Sequence, residues 1–279
     1  MTFKTTKKGP ILPTFFWIMC VIVSFIYATY PAWHSLIRAW SNYEAYSHGF
    51  LIIPLCLFLV FLKREELRNT PVRGSNWGLV LTILSLCLYL FAHVAEIVTV
   101  RSFSLILILV GVILYLFGFQ VIKELIFPFS LLLFMVPIPS QIYSYLTLPL
   151  QLFVSKTSVW LASVLGVPVY SEGNIIHLPD KTLQVVRACS GMRSIVSLLT
   201  ISAVLGYLTL HSNILRYVLF LSGLPTAIIV NILRILLILI AIYYWGLDLT
   251  IDCFHMITGL VVFGSAILIL ILIRQCLLI

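Results

Sequence analysis

The chain has 279 residues, 62% hydrophobic and 9% charged, with a mean hydropathy of +1.14. Soluble domains are about 45–50% apolar and about 25% charged, so this composition excludes a soluble globule, a disordered chain and a disulfide-stapled secreted module. The apolar residues run in blocks rather than alternating, which excludes a membrane β-barrel, and the formal charge of +8 reads as the basic bias of cytoplasmic loops rather than a nucleic-acid footprint.

What remains is an all-α polytopic membrane protein, in which each span needs about 20 mostly apolar residues. The first predicted span is Ile11 to Tyr30, preceded by Lys4, Lys7 and Lys8. A signal peptide would show a small-residue cleavage site after this stretch, and none follows. The second runs from Phe50 to Leu62, and Tyr46 to Gly49 can extend it. After the basic loop Lys63 to Asn76 come Trp77 to Ile97, Phe103 to Phe119, and Glu124 to Val136, the last ending at Pro137 and Pro139.

Ser140 to Leu165 does not read as a plain span. Its small and polar residues fall at 140, 144, 147, 151, 155 and 158, a three-and-four spacing that predicts an amphipathic helix at the outer interface or lining a polar cavity. Gly166 is placed to end that helix. Val167 to Arg187 reads as short strands, with turn chemistry at Leu178-Pro179-Asp180-Lys181. Three further spans, Ser190 to Leu210, Ile214 to Tyr244 and Phe254 to Ile273, bring the expected total to eight. With no internal repeat and no linker, a single domain is expected. It comprises N-terminal spans 11–136, the amphipathic helix and β-like segment 140–187, and C-terminal spans 188–273.

Orientation follows from the basic residues. With the N-terminus in the cytoplasm, ten lie inside (Lys4, Lys7, Lys8, Lys63, Arg64, Arg68, Arg73, Lys123, Arg216, Arg274) and five outside (Arg38, Arg101, Lys156, Lys181, Arg187). That bias favours this orientation.

Ionisable and reactive residues at or within spans are expensive and so point to function. In the string Arg187-Ala188-Cys189-Ser190-Gly191-Met192-Arg193-Ser194, Cys189 falls where a strand is predicted to enter a helix. A helix N-terminus and the neighbouring Arg187 and Arg193 favour a thiolate, and Ser190 and Gly191 leave room for a substrate backbone. The alternative is a buried cysteine acting as a small hydrophobe. Asn231 and Arg234 lie three apart on one helix face. Arg234 needs a carboxylate, an oxyanion or a wet cavity to meet it, unless it bonds bundle carbonyls. Gly223, Pro225 and Thr226 upstream predict a kink or a break. His255 opens the last span and can act as a general acid or base, or simply as an interfacial histidine. Cys253 is a rival nucleophile or a disulfide partner for Cys189.

Together these residues form a set for acyl transfer: a thiolate to attack a carbonyl, a histidine to move protons, and an arginine to hold the oxyanion or orient the scissile bond. One geometric tension stands. Arg234 lies eleven residues before Trp245, about 16 Å below that interface at 1.5 Å per residue, while Cys189 and His255 fall at span ends. No Cys/His cluster has zinc spacing, and nothing calls for a metal or an organic cofactor.

Ala188 to Gly191 (A-C-S-G), Asn231 to Arg234 (N-x-x-R) and His255 to Gly259 (H-x-x-x-G) resemble, in order and placement, the motifs of the exosortase and archaeosortase family of multi-span transpeptidases. Tyr46-Ser47-His48-Gly49-Phe50 and Gly166-Val167-Pro168-Val169 are similar to that family as well. Arg187 departs from its pattern, which often has an acidic residue two before the cysteine. The resemblance implies Cys189, Arg234 and His255 as the catalytic residues, with Ser190, Gly191, Arg193, Asn231 and His48 supporting them. It also implies an inner-membrane enzyme whose site lies near the outer face. Its partners would be exported proteins with a C-terminal sorting signal, namely a short motif such as Pro-Glu-Pro, a hydrophobic helix and a basic tail, together with an unidentified acceptor. The competing expectations are a transporter built around a midplane arginine and an inactive membrane scaffold.

Overall fold

The computed structural model describes residues 11–179, 181–184, 192–247 and 252–278, without the side chains of 11–15, 17, 18, 21, 22, 44, 184, 192, 193 and 252–257. The chain divides into two compact units, one of residues 1–43 and 53–137 and the other of residues 44–52 and 138–279. The second boundary falls where Pro137 and Pro139 end the run of N-terminal helices, because proline cannot continue the backbone ladder.

The first unit contains helices α1 (Ile11–Ala28), α2 (Tyr30–Asn42), most of α3 (Gly49–Leu62), α4 (Arg64–Asn69), α5 (Asn76–Val94), α6 (Val98–Phe117) and α7 (Phe119–Leu132), with a 3-10 turn at Leu133–Met135. Its centre is the hairpin of α5 and α6. A Cβ at Gly78 would lie 2.1 Å from the Tyr115 nitrogen, and one at Gly111 would lie 2.6 Å from Thr82 Oγ1. In lipid there is no hydrophobic drive between helices, so this close backbone approach supplies the packing. Trp40 donates its indole N–H to the Met135 carbonyl at 3.0 Å. Lys63 bridges Glu124 at 2.6 Å and Glu66 at 3.2 Å.

The second unit contains α8 (Ser140–Val164), a three-stranded antiparallel sheet of β1 (Tyr170–Glu172), β2 (Ile175–His177) and β3 (Thr182–Gln184) in that order, and α9 (Met192–Thr209), α10 (Asn213–Trp245) and α11 (Asp252–Cys276). Gly166 follows the end of α8 with φ +86°, a conformation that a Cβ would strain. Leu178 and Lys181 exchange backbone hydrogen bonds of 2.8 and 3.4 Å across the turn between β2 and β3. Ile176 and Leu178 pack with Val154 and Ala162 of α8 and with Ile232, Ile235, Leu236 and Leu239 of α10. A second core joins Ile195 and Leu198 of α9, Ala227 and Val230 of α10, and Ala266 and Leu270 of α11.

Several expectations change on contact with the structure. Helices occupy all eight segments read as spans. Among the described residues, however, only Asn76–Val94, Val98–Phe117, Asn213–Trp245 and Thr258–Cys276 are long and apolar enough to cross a membrane, with a fifth if Phe119–Met135 and Ser140–Val164 form one broken span. Gly49–Leu62 and Ser194–Thr209 are apolar but shorter. The expected helical extension through Tyr46–Gly49 is instead a 3-10 turn at Glu44–Tyr46 followed by a turn at Ser47 and His48.

The stripe of small and polar residues on α8 is exposed at its start, at Ser140 and Ser144, and buried from Thr147 onward. Thr147, Gln151, Ser155 and Ser158 are buried, and Ser158 donates to the Ile232 carbonyl of α10 at 3.3 Å. Tyr145, Leu148, Phe153, Trp160 and Val164 are exposed instead. Small residues face the neighbouring helix and bulky apolar ones face out, the polarity of a lipid-facing helix. Pro225 lies within a continuous α10 of 33 residues, about 50 Å long, so the helix bends or strains there without a break.

Candidate functional site

Helices α9, α10 and α11 pack against one another. Where they meet they form a small cleft lined by Ser194 and Leu198 of α9, by Ala227, Val230, Asn231 and Arg234 of α10, and by Gly259, Val262, Phe263 and Ala266 of α11. The cleft is a small notch with room for about one water-sized group, well short of a whole ligand pocket. Its lining is apolar at Leu198, Ala227, Val230, Val262, Phe263 and Ala266 and polar at Ser194, Asn231 and Arg234.

The polar groups converge for a reason visible in the chain. Asn231 and Arg234 are three apart on α10, which puts them on one helix face. Asn231 is 4% exposed, whereas Arg234 is half-buried. Arg234 meets α11 at Gly259, where an added Cβ would lie 3.6 Å from Nη2 and 3.9 Å from Cζ. The glycine that ends the H-x-x-x-G string therefore leaves the guanidinium its space. A methyl group fits at that distance, but a longer side chain displaces the arginine.

This contact resolves part of the depth problem. Arg234 sits level with Gly259, and His255 precedes Gly259 by four residues in the same helix, about 6 Å along its axis. The arginine is thus about one helical turn from the histidine along α11, not the three turns that counting back from Trp245 suggests. On that level α11 starts at Asp252, seven residues before Gly259, and α10 runs on to Trp245, eleven residues past Arg234, so the two helices are staggered by about 6 Å.

Cys189, Ser190 and Gly191 lie outside the described residues, and so do the side chains of Arg193 and His255. The backbone of Arg193 is in the first turn of α9, and that of His255 is in the first turn of α11. Ser194, five residues after Cys189, is the nearest following residue with a described side chain, and it lines the cleft. It was not singled out from the sequence, although its place at the end of the polar run from Arg187 marks it. His48 belongs to the same compact unit. The Glu44–Tyr46 turn just before it packs against α9, and Tyr46 donates to the Ile138 carbonyl at 3.1 Å with its ring 6.1 Å from that of Tyr143. Among the described residues no group of three His, Cys, Asp or Glu is arranged to hold a metal ion.

The model of the transmembrane exosortase family matches residues 40–272. No curated protein and no solved structure matches the chain. The family match spans every motif residue and most of the chain, and the chain belongs to the transmembrane exosortase family, a family of membrane cysteine transpeptidases.

Proposed function

We infer that this exosortase-family chain is an active membrane-embedded cysteine protease or transpeptidase. It cleaves a C-terminal sorting signal from exported proteins and passes them to an acceptor through a thioester. The observation that carries the reading is the cleft. It joins the N-x-x-R pair, the glycine of H-x-x-x-G and the helix that follows Cys189 in one place, from three strings widely separated in sequence.

In the proposed cycle the Cys189 thiolate attacks the scissile carbonyl, and the carbonyl π electrons move onto oxygen. Arg234 donates to that oxyanion or to the neighbouring peptide carbonyl, where charge develops in a site of low dielectric. Collapse of the tetrahedral adduct breaks the C–N bond, and His255 protonates the departing amine. The acyl group remains on sulfur. The now neutral His255 then takes a proton from the acceptor, water or an amine, as it attacks the thioester, and the thiolate leaves. Asn231 orients Arg234 or the substrate backbone, and Ser190, Gly191, Arg193 and His48 shape the approach. The substrate helix lies against the bundle in the bilayer of the inner membrane, with its motif at the outer face.

Co-expression with a signal-bearing substrate tests this. Cys189→Ala, Arg234→Ala and His255→Ala should each abolish processing while the chain still inserts. Normal processing by Cys189→Ala overturns the mechanism and directs attention to Cys253→Ala. Solute flux that depends on Arg234 but not on Cys189 would favour a transporter. A Cys189 inert to a mild alkylator in intact membranes would favour a scaffold.

A further inference from the structure

The first compact unit holds a second buried arginine, which the transpeptidase chemistry does not use. Arg101 lies in the first turn of α6 and is 8% exposed. Its Nη1 donates to Nδ1 of His93, in the last turn of α5, at 3.3 Å, and its Nη2 donates to Ser35 Oγ of α2. A guanidinium only donates, so in this contact His93 accepts with Nδ1. The Arg101 Nε is buried with no hydrogen-bond partner.

The ion pairs among the described residues are those of Lys63 with Glu66 and Glu124 and of His177 with Glu172, so no carboxylate pairs with Arg101. Glu96, in the turn between α5 and α6 at φ +57°, is exposed. The arginine therefore has two acceptors, neither of them a carboxylate, and an unused donor. A charge buried without a counter-charge is costly. In a membrane protein the cost is met by a partner or by the lipid interface.

The place of the cluster says which anion supplies the balance. The turn joining two membrane-length apolar helices, Asn76–Val94 and Val98–Phe117, sits at headgroup level, and Arg101 is three residues into the second. α2 lies across this end. It buries Ala32, Leu36, Ala39 and Trp40 and exposes Tyr30, His34 and Arg38 at four-residue spacing, an aromatic and basic stripe typical of an interfacial helix. Ser35 and His93 both reach the surface, so the donors are approachable from the bilayer edge.

We propose that Arg101, Ser35 and His93, with Arg38 at the rim, form a binding site for the phosphate of an anionic glycerophospholipid. The phosphodiester oxygens accept from the guanidinium and from Nε2–H of His93, while Ser35, whose hydroxyl donates to the Pro31 carbonyl at 2.8 Å, holds the guanidinium in place. A free phosphate offers the same oxygens, but a lipid arrives already at the depth of the cluster.

The purified full-length chain, stripped of lipid in detergent, is titrated with phosphatidylglycerol and with phosphatidylcholine, and bound lipid is counted by native mass spectrometry. The wild type should retain phosphatidylglycerol over phosphatidylcholine. Arg101→Gln should lose at least about fivefold in retention, the factor carried by one basic residue at an anionic surface. Ser35→Ala should lose less. Lys123→Gln, which removes one exposed charge elsewhere in the same unit, should change nothing. Should Arg101→Gln fail to fold, Arg101→Lys, which keeps the charge but cannot reach both neighbours, carries the test with an intermediate loss. Equal retention by wild type and whichever Arg101 variant folds overturns the site, as does an equal loss in Lys123→Gln. Displacement of phosphatidylglycerol by millimolar inorganic phosphate overturns the lipid assignment.

Discussion

Arg101 and Arg234 both sit on apolar helices, one in each compact unit, and their surroundings differ in kind. Arg101 is almost fully buried and ties three helices together through acceptors from α2 and α5. Arg234 is half-buried, shares its helix face with Asn231 and opens on a cleft whose third wall is a glycine. Arg101 is held from two neighbouring helices with its Nε left over, whereas Arg234 lines a cleft beside Gly259. The sequence places Arg101 among the outer basic residues at a span start and Arg234 inside a span, and folding brings each against neighbours that the local sequence does not name.

The sharpest way to break the comparison is to make the same conservative change at both. Arg234→Lys keeps the charge but not the planar fork, and processing of a co-expressed substrate should fall about 10²–10³-fold, the scale of one lost oxyanion donor. Arg101→Lys should leave processing within about threefold while changing lipid retention. Gly259→Leu comes next. Its side chain occupies the space of the Arg234 guanidinium, and processing should fall by at least about tenfold, a displacement of the kind that costs up to about 10². Gly259→Ala, whose methyl stands at ordinary contact distance, should retain processing, and equal loss in both variants would mean that the glycine is needed for backbone reasons.

Stability effects sharpen the contrast between site and scaffold. Leu239 is fully buried in the core between α8, α10 and the sheet, and Leu239→Ala should destabilise the chain by about 2–5 kcal/mol, read as a lower melting temperature in detergent. Ser158→Ala should cost least, about 1 kcal/mol, because it removes a single buried bond to the Ile232 carbonyl.

Much of the fold was legible. The apolar blocks gave helices in all eight places, Gly166 ends α8 in the left-handed region, and the Leu178–Lys181 turn closes a hairpin. The α8 spacing predicted two unlike faces, and only the structure shows that Thr147, Gln151, Ser155 and Ser158 pack inward, because period alone does not report which face is buried. In water the polar face looks outward, whereas in lipid the small and polar face packs against the next helix. The possible extension of α3 through Tyr46–Gly49 reaches only Gly49, because Tyr46 to His48 are held as turns, with Tyr46 bonded to the Ile138 carbonyl.

Of the candidate site, the sequence alone determined the residue types, their order and the shared helix face of Asn231 and Arg234, because polar groups in hydrocarbon are costly and local spacing fixes a helix face. Only the tertiary structure decided that Gly259 keeps a place for Arg234, that Ser194 joins Asn231 in one cleft, and that Arg101 is enclosed while Arg234 is not. These are contacts between segments far apart in the chain. They depend on the stagger of one helix against another, which no local periodicity encodes.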